Sequence, residues 1–183
     1  MPTVETLRWV GECDGELVLL DQTELPVDCL ERHCSDLESV CEAIRALRVR
    51  GAPAIGIAAA YGVCVGLRGM VDRDVAGLFE RLEVVVERLA ASRPTAVNLF
   101  WALQRMRSRA EALRASTSAT SIRRALLTEA QAIHAEDREM CRAIGAHGAP
   151  LLEDGMGVLT HCNAGGLATS EYGTALAVLF TAE

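Results

Sequence analysis

Between Arg48 and Met70 the chain reads Arg-Val-Arg-Gly-Ala-Pro-Ala-Ile-Gly-Ile-Ala-Ala-Ala-Tyr-Gly-Val-Cys-Val-Gly-Leu-Arg-Gly-Met, and this stretch narrows the possible folds most. Pro53 suits the first turn of a helix, where its missing N–H is no loss. The residues that follow are apolar on all sides, so such a helix has to be covered on every face by other elements. Small residues recur at Gly56, Ala60, Gly62 and Gly66, which lets those elements come close. A membrane span needs about 20 predominantly apolar residues. This run is too short and too glycine-rich for that. It predicts a buried helix in a globular domain and no membrane partner.

Thr6 to Val10 and Glu16 to Leu20 are two short runs around Gly11-Glu12-Cys13-Asp14-Gly15, which reads as a β-hairpin with Asp-Gly turn chemistry, ended by Pro26. Ser35 with Glu38 reads as a capping box for a helix with Leu37, Val40, Cys41, Ile44 and Leu47 on one face. From Asp72 to Ala91 an apolar stripe of Val75, Leu78, Phe79, Leu82, Val85, Val86 and Leu89 predicts an amphipathic helix. Ser92-Arg93-Pro94-Thr95 breaks the chain, and Thr95 is placed to cap a helix carrying Leu99, Leu103 and Met106. Asn98, Phe100 and Trp101 on its first turns read as packing and capping residues.

Ala115 to Ser121, rich in Ser, Thr and Ala, reads as a loop. A long helix from Ile122 to about Ile144 then carries Leu126, Ala130, Ile133, Asp137, Met140 and Ile144 on one stripe. Asp137 is its odd member, better suited to pairing with an Arg or capping a neighbouring helix than to catalysis. Gly145 to Gly148 and Pro150 are expected to end this helix, and His134 and His147 read as surface or packing residues.

Eighteen basic against twenty-five acidic residues leave a net charge of −7, which argues against a nucleic-acid partner. Every basic residue is Arg, so any anion held by a side chain is held by a guanidinium fork or a His. The seven cysteines are odd in number and lack a C-x-x-C pair, so neither a disulfide framework nor a metal site is indicated. Cys29, His33, Cys34 and Cys41 cluster at a spacing that fits burial of small thiols better than metal ligation. The start Met1-Pro2-Thr3-Val4-Glu5 lacks signal-peptide character, and a cytoplasmic setting is expected.

The chemistry is expected between Gly155 and Thr169. An apolar run from Val158 reads as a buried strand, Cys162 follows it, and Asn163-Ala164-Gly165-Gly166 turns toward a helical pattern over Ser170 to Glu183. Arg50-Gly51-Ala52 puts a guanidinium and free backbone N–H groups at a helix N-terminus, a good anion cradle, and reads equally as an Arg on a surface loop. Arg93 also stands just before a helix start, so the two arginines can converge on one anion. For Cys162 the competing reading is a buried structural thiol.

Arg50-Gly51-Ala52-Pro53-Ala54-Ile55-Gly56, Ser92-Arg93-Pro94-Thr95-Ala96-Val97-Asn98-Leu99 and Thr160-His161-Cys162-Asn163-Ala164-Gly165, with Tyr172-Gly173-Thr174-Ala175-Leu176 after them, strongly resemble S-methyl-5-thioribose-1-phosphate isomerases of methionine salvage. Leu20-Asp21-Gln22 and Leu25-Pro26 also fit. That family shares a superfamily with ribose-1,5-bisphosphate isomerases and regulatory subunits of a translation-initiation exchange factor. The resemblance implies an α/β fold: a hairpin and a mostly helical domain over 1–150, then the first strand and helix of a Rossmann-like domain over 151–183. It implies a homodimer at full length, no cofactor, no metal, and a small-molecule sugar-phosphate substrate.

By the same resemblance Cys162 is a catalytic acid-base group, and Arg50, Gly51, Ala52 and Arg93 bind the substrate phosphate. The family's catalytic Asp lies beyond the residues present, so the chain reads as truncated and the 183 residues alone are expected to have little isomerase activity. A Cys-His hydrolase is a poorer reading, because His161 and Cys162 point to opposite faces of a strand. Ribose-1,5-bisphosphate isomerase and a non-catalytic sugar-phosphate-binding or regulatory relative are the alternatives.

Overall fold

A computed structural model describes residues 5–70, 74–115 and 118–183. The apolar stretch forms helix α2 (Ala52–Gly66), buried from Ala54 to Gly66. Around it lie α1 (Leu37–Arg45), α3 (Val75–Ser92), α4 (Val97–Glu111) and α5 (Ala119–Gly148), with a three-stranded antiparallel sheet against one side. The small residues mark where these neighbours press in. A Cβ on Gly62 would lie 2.9 Å from Val40 Cγ1 of α1, one on Gly66 2.6 Å from Val85 Cγ2 of α3, and one on Gly56 3.0 Å from the Asn98 carbonyl oxygen of α4. The all-round apolar pattern thus becomes contact with five elements. Among the described residues no helix is long and apolar enough to cross a membrane.

The expected hairpin is β1 (Leu7–Val10) and β2 (Glu16–Leu20), paired Leu7 with Leu19 and Val10 with Glu16. A third strand, β3 (Glu31–Cys34), pairs with β2 and was not expected. Only its Cys34 is buried, so no apolar alternation announces it. Helix α1 is capped one residue later than the Ser35/Glu38 reading: Asp36 Oδ1 accepts from Ser39 N at 2.8 Å, and Asp36 N donates to Ser39 Oγ at 3.3 Å. Leu47 lies beyond this helix, at φ 62°.

Helix α3 carries its stripe as expected and is capped by Asp74; the expected start at Asp72 lies outside the described residues. Thr95 does not cap α4, whose N-cap is Ala96 without a side-chain bond. Phe100 and Trp101 are 43% and 49% exposed, so they are not packing residues of the core.

Helix α5 is longer than expected at both ends. It starts at Ala119, capped by Ser118, which shortens the expected Ala115–Ser121 loop, part of which lies outside the described residues. It also continues through Gly145 to Gly148, into a 3-10 turn at Ala149–Leu151 that holds Pro150. Those glycines do not terminate it because their missing side chains serve contact. A Cβ on Gly145 would lie 2.4 Å from Thr181 Oγ1, and one on Gly148 2.5 Å from Val178 Cγ2, both on α6 (Ala175–Ala182). His134 is a packing residue, 5% exposed, while His147 is exposed.

The expected strand at Val158 is absent. Residues 152–165 are irregular, with Val158 52% and Leu159 97% exposed. A strand is held by ladder hydrogen bonds to a neighbour, and no strand lies beside this run among the described residues. The helical pattern read from Ser170 begins only at Ala175, after a 3-10 turn at Gly166–Ala168.

Candidate active site

The expected site residues arrive from three places. Val49, fully buried, anchors the end of the α1–α2 loop and leaves Arg50 exposed beside it. Gly51 is the N-cap of α2 at φ 97°, a conformation that favours glycine. With Pro53 in the first turn, the amides of Gly51, Ala52 and Ala54 begin the helix without intrahelical acceptors. Arg93 is the C-cap of α3 and reaches the same region from the α3–α4 turn. Cys162 lies on the irregular segment before the Gly166–Ala168 turn, exposed and at φ 66°.

These groups share one cleft of about 550 Å³, lined by Leu47, Arg50, Gly51, Ala52, Pro53, Ile55, Arg93, Thr95, Ala96, Val97, Cys162, Asn163, Ala168, Thr169 and Thr174. Among the described residues no carboxylate lines it. Among the described residues Arg50 and Arg93 make no ion pair or side-chain hydrogen bond, whereas nearby Arg48 is spent on Asp21 and Glu42. Two unpaired guanidiniums, helix N-terminal amides and the hydroxyls of Thr95, Thr169 and Thr174 form a site suited to a phosphate. Leu47 and Cys162, the two non-glycine residues at positive φ among the described residues, both line it. Strained backbone of this kind concentrates at functional sites.

The second wall of the cleft is fastened to the helical body by contacts that local spacing does not reveal. Gly51 packs directly on Ala168: a Cβ there would lie 2.4 Å from Ala168 Cα and 2.5 Å from its carbonyl oxygen. Gln22 Nε2 donates to the Leu167 carbonyl at 2.8 Å, while its backbone N–H donates to the Arg48 carbonyl at 2.9 Å, so one residue holds both walls. Thr6 donates from Oγ1 to Gly166 O at 2.8 Å and from its N–H to Ser170 O at 2.9 Å. Asp137 Oδ2 accepts from Ser170 N at 2.8 Å, which gives this stripe residue a structural role toward the turn. Asp21, fully buried, is desolvated, but its bonds from Thr23, Arg32 and Arg48 outweigh that and hold its carboxyl at about 2.

Cys162 differs from the other thiols in setting. Burial pushes Cys34 up to about 11 and raises Cys41, Cys64 and Cys141 as well, which makes them packing residues. Only Cys29 and Cys162 are exposed, and Cys162 alone of the seven faces the cleft. The reading of Cys162 as a buried structural thiol is therefore corrected. So is that of a strand leading into it. Among the described residues no cluster of His, Cys, Asp and Glu has the makings of a metal site.

Residues 48–183 match the Initiation factor 2 subunit family. The chain belongs to this family. It is 49% identical over 174 residues to a methylthioribose-1-phosphate isomerase of Geotalea uraniireducens, covering 95% of this chain and 49% of that protein. It is 51% identical over 170 residues to a 5-deoxyribose 1-phosphate isomerase of Bacillus anthracis, covering 93% and 49%. The chain thus spans about half the length of the curated relatives it matches.

Two solved structures share the fold of this family member. The 5-methylthioribose 1-phosphate isomerase of Pyrococcus horikoshii OT3 superposes with a TM-score of 0.87 at 35% identity, over 99% of this chain and 50% of that one. The delta subunit of translation initiation factor eIF-2B from A. fulgidus gives 0.86 at 41% identity, over 98% and 51%. The resemblance read from the Arg50, Arg93 and Cys162 motifs is borne out by these relatives.

Proposed function

We propose that the chain carries the phosphate cradle and the thiol of an aldose-ketose isomerase, which converts S-methyl-5-thioribose 1-phosphate to S-methyl-5-thioribulose 1-phosphate in methionine salvage. The observation that carries this reading is one cleft that holds Arg50, Arg93, the α2 N-terminus and Cys162 together, with no carboxylate among the described residues lining it. Arg50 and Arg93 hold the C1 phosphate with the amides of Gly51 and Ala52. Cys162 then stands among the sugar carbons next to that phosphate.

The reaction is an internal rearrangement. The bond from C1 to the ring oxygen breaks and that oxygen takes a proton; a hydrogen leaves C2 and one arrives at C1; the C2 hydroxyl loses its proton and becomes the ketone. No electrons enter or leave, so a thiol that gives and takes a proton is chemistry of the right kind. By resemblance the family pairs this Cys with an Asp. Relatives named methylthioribose-1-phosphate and 5-deoxyribose 1-phosphate isomerases both act on 1-phosphorylated pentoses by name, which supports the substrate class. The resemblance further implies that residues 151–183 belong to a second, Rossmann-like domain, that two copies pair, and that the enzyme works in the cytoplasm, where seven free thiols stay reduced.

Isothermal titration of the chain with S-methyl-5-thioribose 1-phosphate tests this reading. Arg50→Ala and Arg93→Ala are each expected to weaken binding about tenfold to a hundredfold, as loss of a charge-assisted contact worth about 1.5–3 kcal/mol requires. Binding that neither substitution changes would overturn it.

A further inference from the structure

Thr174 lines the same cleft as Arg50, Arg93 and Cys162, and the chain is built there so that its hydroxyl stays free. It is the N-cap residue of α6, the position from which a threonine hydroxyl ordinarily accepts from an amide of the first turn. Here it makes no such bond. The Ala164 carbonyl takes its place, accepting from Thr174 N at 2.9 Å and from Leu176 N at 3.3 Å. That contact needs Gly173, at φ 92°, since a Cβ there would lie 2.7 Å from both Ala164 O and Gly165 Cα. Thr169 supplies the contrast: its hydroxyl is bonded inside its own turn, accepting from Gly173 N at 3.0 Å and donating to Gly166 O at 3.3 Å. Among the described residues the hydroxyl of half-buried Thr174 has no hydrogen-bond partner.

We infer that Thr174 binds a hydroxyl of the pentose and so distinguishes a sugar phosphate from phosphate alone. The inference rests on the proposed phosphate site and adds a contact to the sugar. Thr95 lies two positions from Arg93, on the wall made by the helical body. Thr174 stands on the other wall, where the Ala164 carbonyl ties it to the segment that carries Cys162. With the phosphate at the two arginines and the thiol among the sugar carbons, this second wall is the one the sugar faces. A hydroxyl both donates and accepts, which suits a sugar hydroxyl in either role. An N-cap threonine that leaves the capping to a distant carbonyl breaks a local rule, and such exceptions gather where a ligand supplies the missing partner.

Isothermal titration of the whole chain with S-methyl-5-thioribose 1-phosphate and with inorganic phosphate tests it on two variants. Thr174→Val keeps the β-branched shape and deletes the hydroxyl. It is expected to weaken sugar-phosphate binding about threefold to tenfold more than it weakens inorganic phosphate, the effect of one lost hydrogen bond. Thr174→Ser keeps the hydroxyl and is expected to bind the sugar phosphate within about twofold of the parent. A merely structural role in the turn would weaken both ligands alike. Equal losses for the two ligands, an unchanged Thr174→Val, or a Thr174→Ser as weak as the valine variant each overturn the inference and leave the phosphate site standing. Failure of the parent to bind either ligand overturns the phosphate site itself, and the inference with it.

Discussion

Gly51 meets two demands at once. Its φ of 97° sets the entry into α2, and its bare Cα is where the Ala168 backbone rests. An alanine there has both backbone strain and a clash against backbone atoms that cannot swing aside. Gly51→Ala is therefore expected to destabilise the chain by about 1–3 kcal/mol, read from the urea midpoint, and to weaken phosphate binding by parting the two walls. An unchanged midpoint would show that the close approach to Ala168 is not maintained in solution. The neighbouring arginines were legible in the sequence because a guanidinium next to a Gly-Ala-Pro helix start is a local pattern. Gln22 could be singled out only through a resemblance, and its bond to Leu167, 145 positions away, has no local signature.

Half-buried Trp9 of β1 and buried Tyr61 of α2 and His134 of α5 join three elements through a small stack. The Trp9 and Tyr61 rings lie 5.5 Å apart and nearly parallel, and the Tyr61 hydroxyl is 3.1 Å from His134 Nδ1. Burial, helped by the charge of Arg138, pushes His134 down from 6.5 to about 4. The unfolded chain then takes up a proton at about 6.5 that the folded chain refuses until about 4. Stability is full above pH 6.5 and falls as the pH drops toward 4, by up to about 3 kcal/mol from this one group. Urea denaturation at pH 7 and pH 4.5 measures it, and His134→Gln is expected to flatten the difference. A variant with the same pH dependence as the parent would remove His134 as its source.

The helices themselves were legible because α1, α3, α4 and α5 each repeat apolar residues at helical spacing and α2 is an unbroken apolar run behind Pro53, and only their ends moved. Strand β3 was hidden because Glu31, Arg32 and His33 are all exposed. The run at Val158 misled in the opposite direction: an apolar stretch marks a strand only where a partner supplies the ladder. Gly145 and Gly148, read as a stop, are instead the surface on which α6 packs. Such contacts between distant segments decide what a local signal becomes.

At the scale of the molecule, the proposed site depends on the segment from Cys162 to Thr174 staying clamped to the helical body. Thr6, Gln22 and Asp137 make that clamp from three elements, and each bond reaches the backbone of the turn. Asp137→Ala should leave the helices protected from amide exchange while residues 166–173 exchange at least several-fold faster, because one half-buried anchor of the turn is gone. Equal exchange rates in the two proteins would mean that the clamp does not depend on Asp137.

The central claim is that Arg50, Arg93 and Cys162 belong to one sugar-phosphate site. Peptide-resolved alkylation of the chain by iodoacetamide, with and without saturating S-methyl-5-thioribose 1-phosphate, tests it most directly, since exposed Cys29 lies outside the cleft and serves as the control within the same molecule. The ligand is expected to slow labelling of Cys162 at least tenfold while Cys29 labels at its original rate, and Arg50→Ala should abolish the protection at the same ligand concentration. Labelling of Cys162 at an unchanged rate, under conditions where titration shows the ligand bound, would contradict the account.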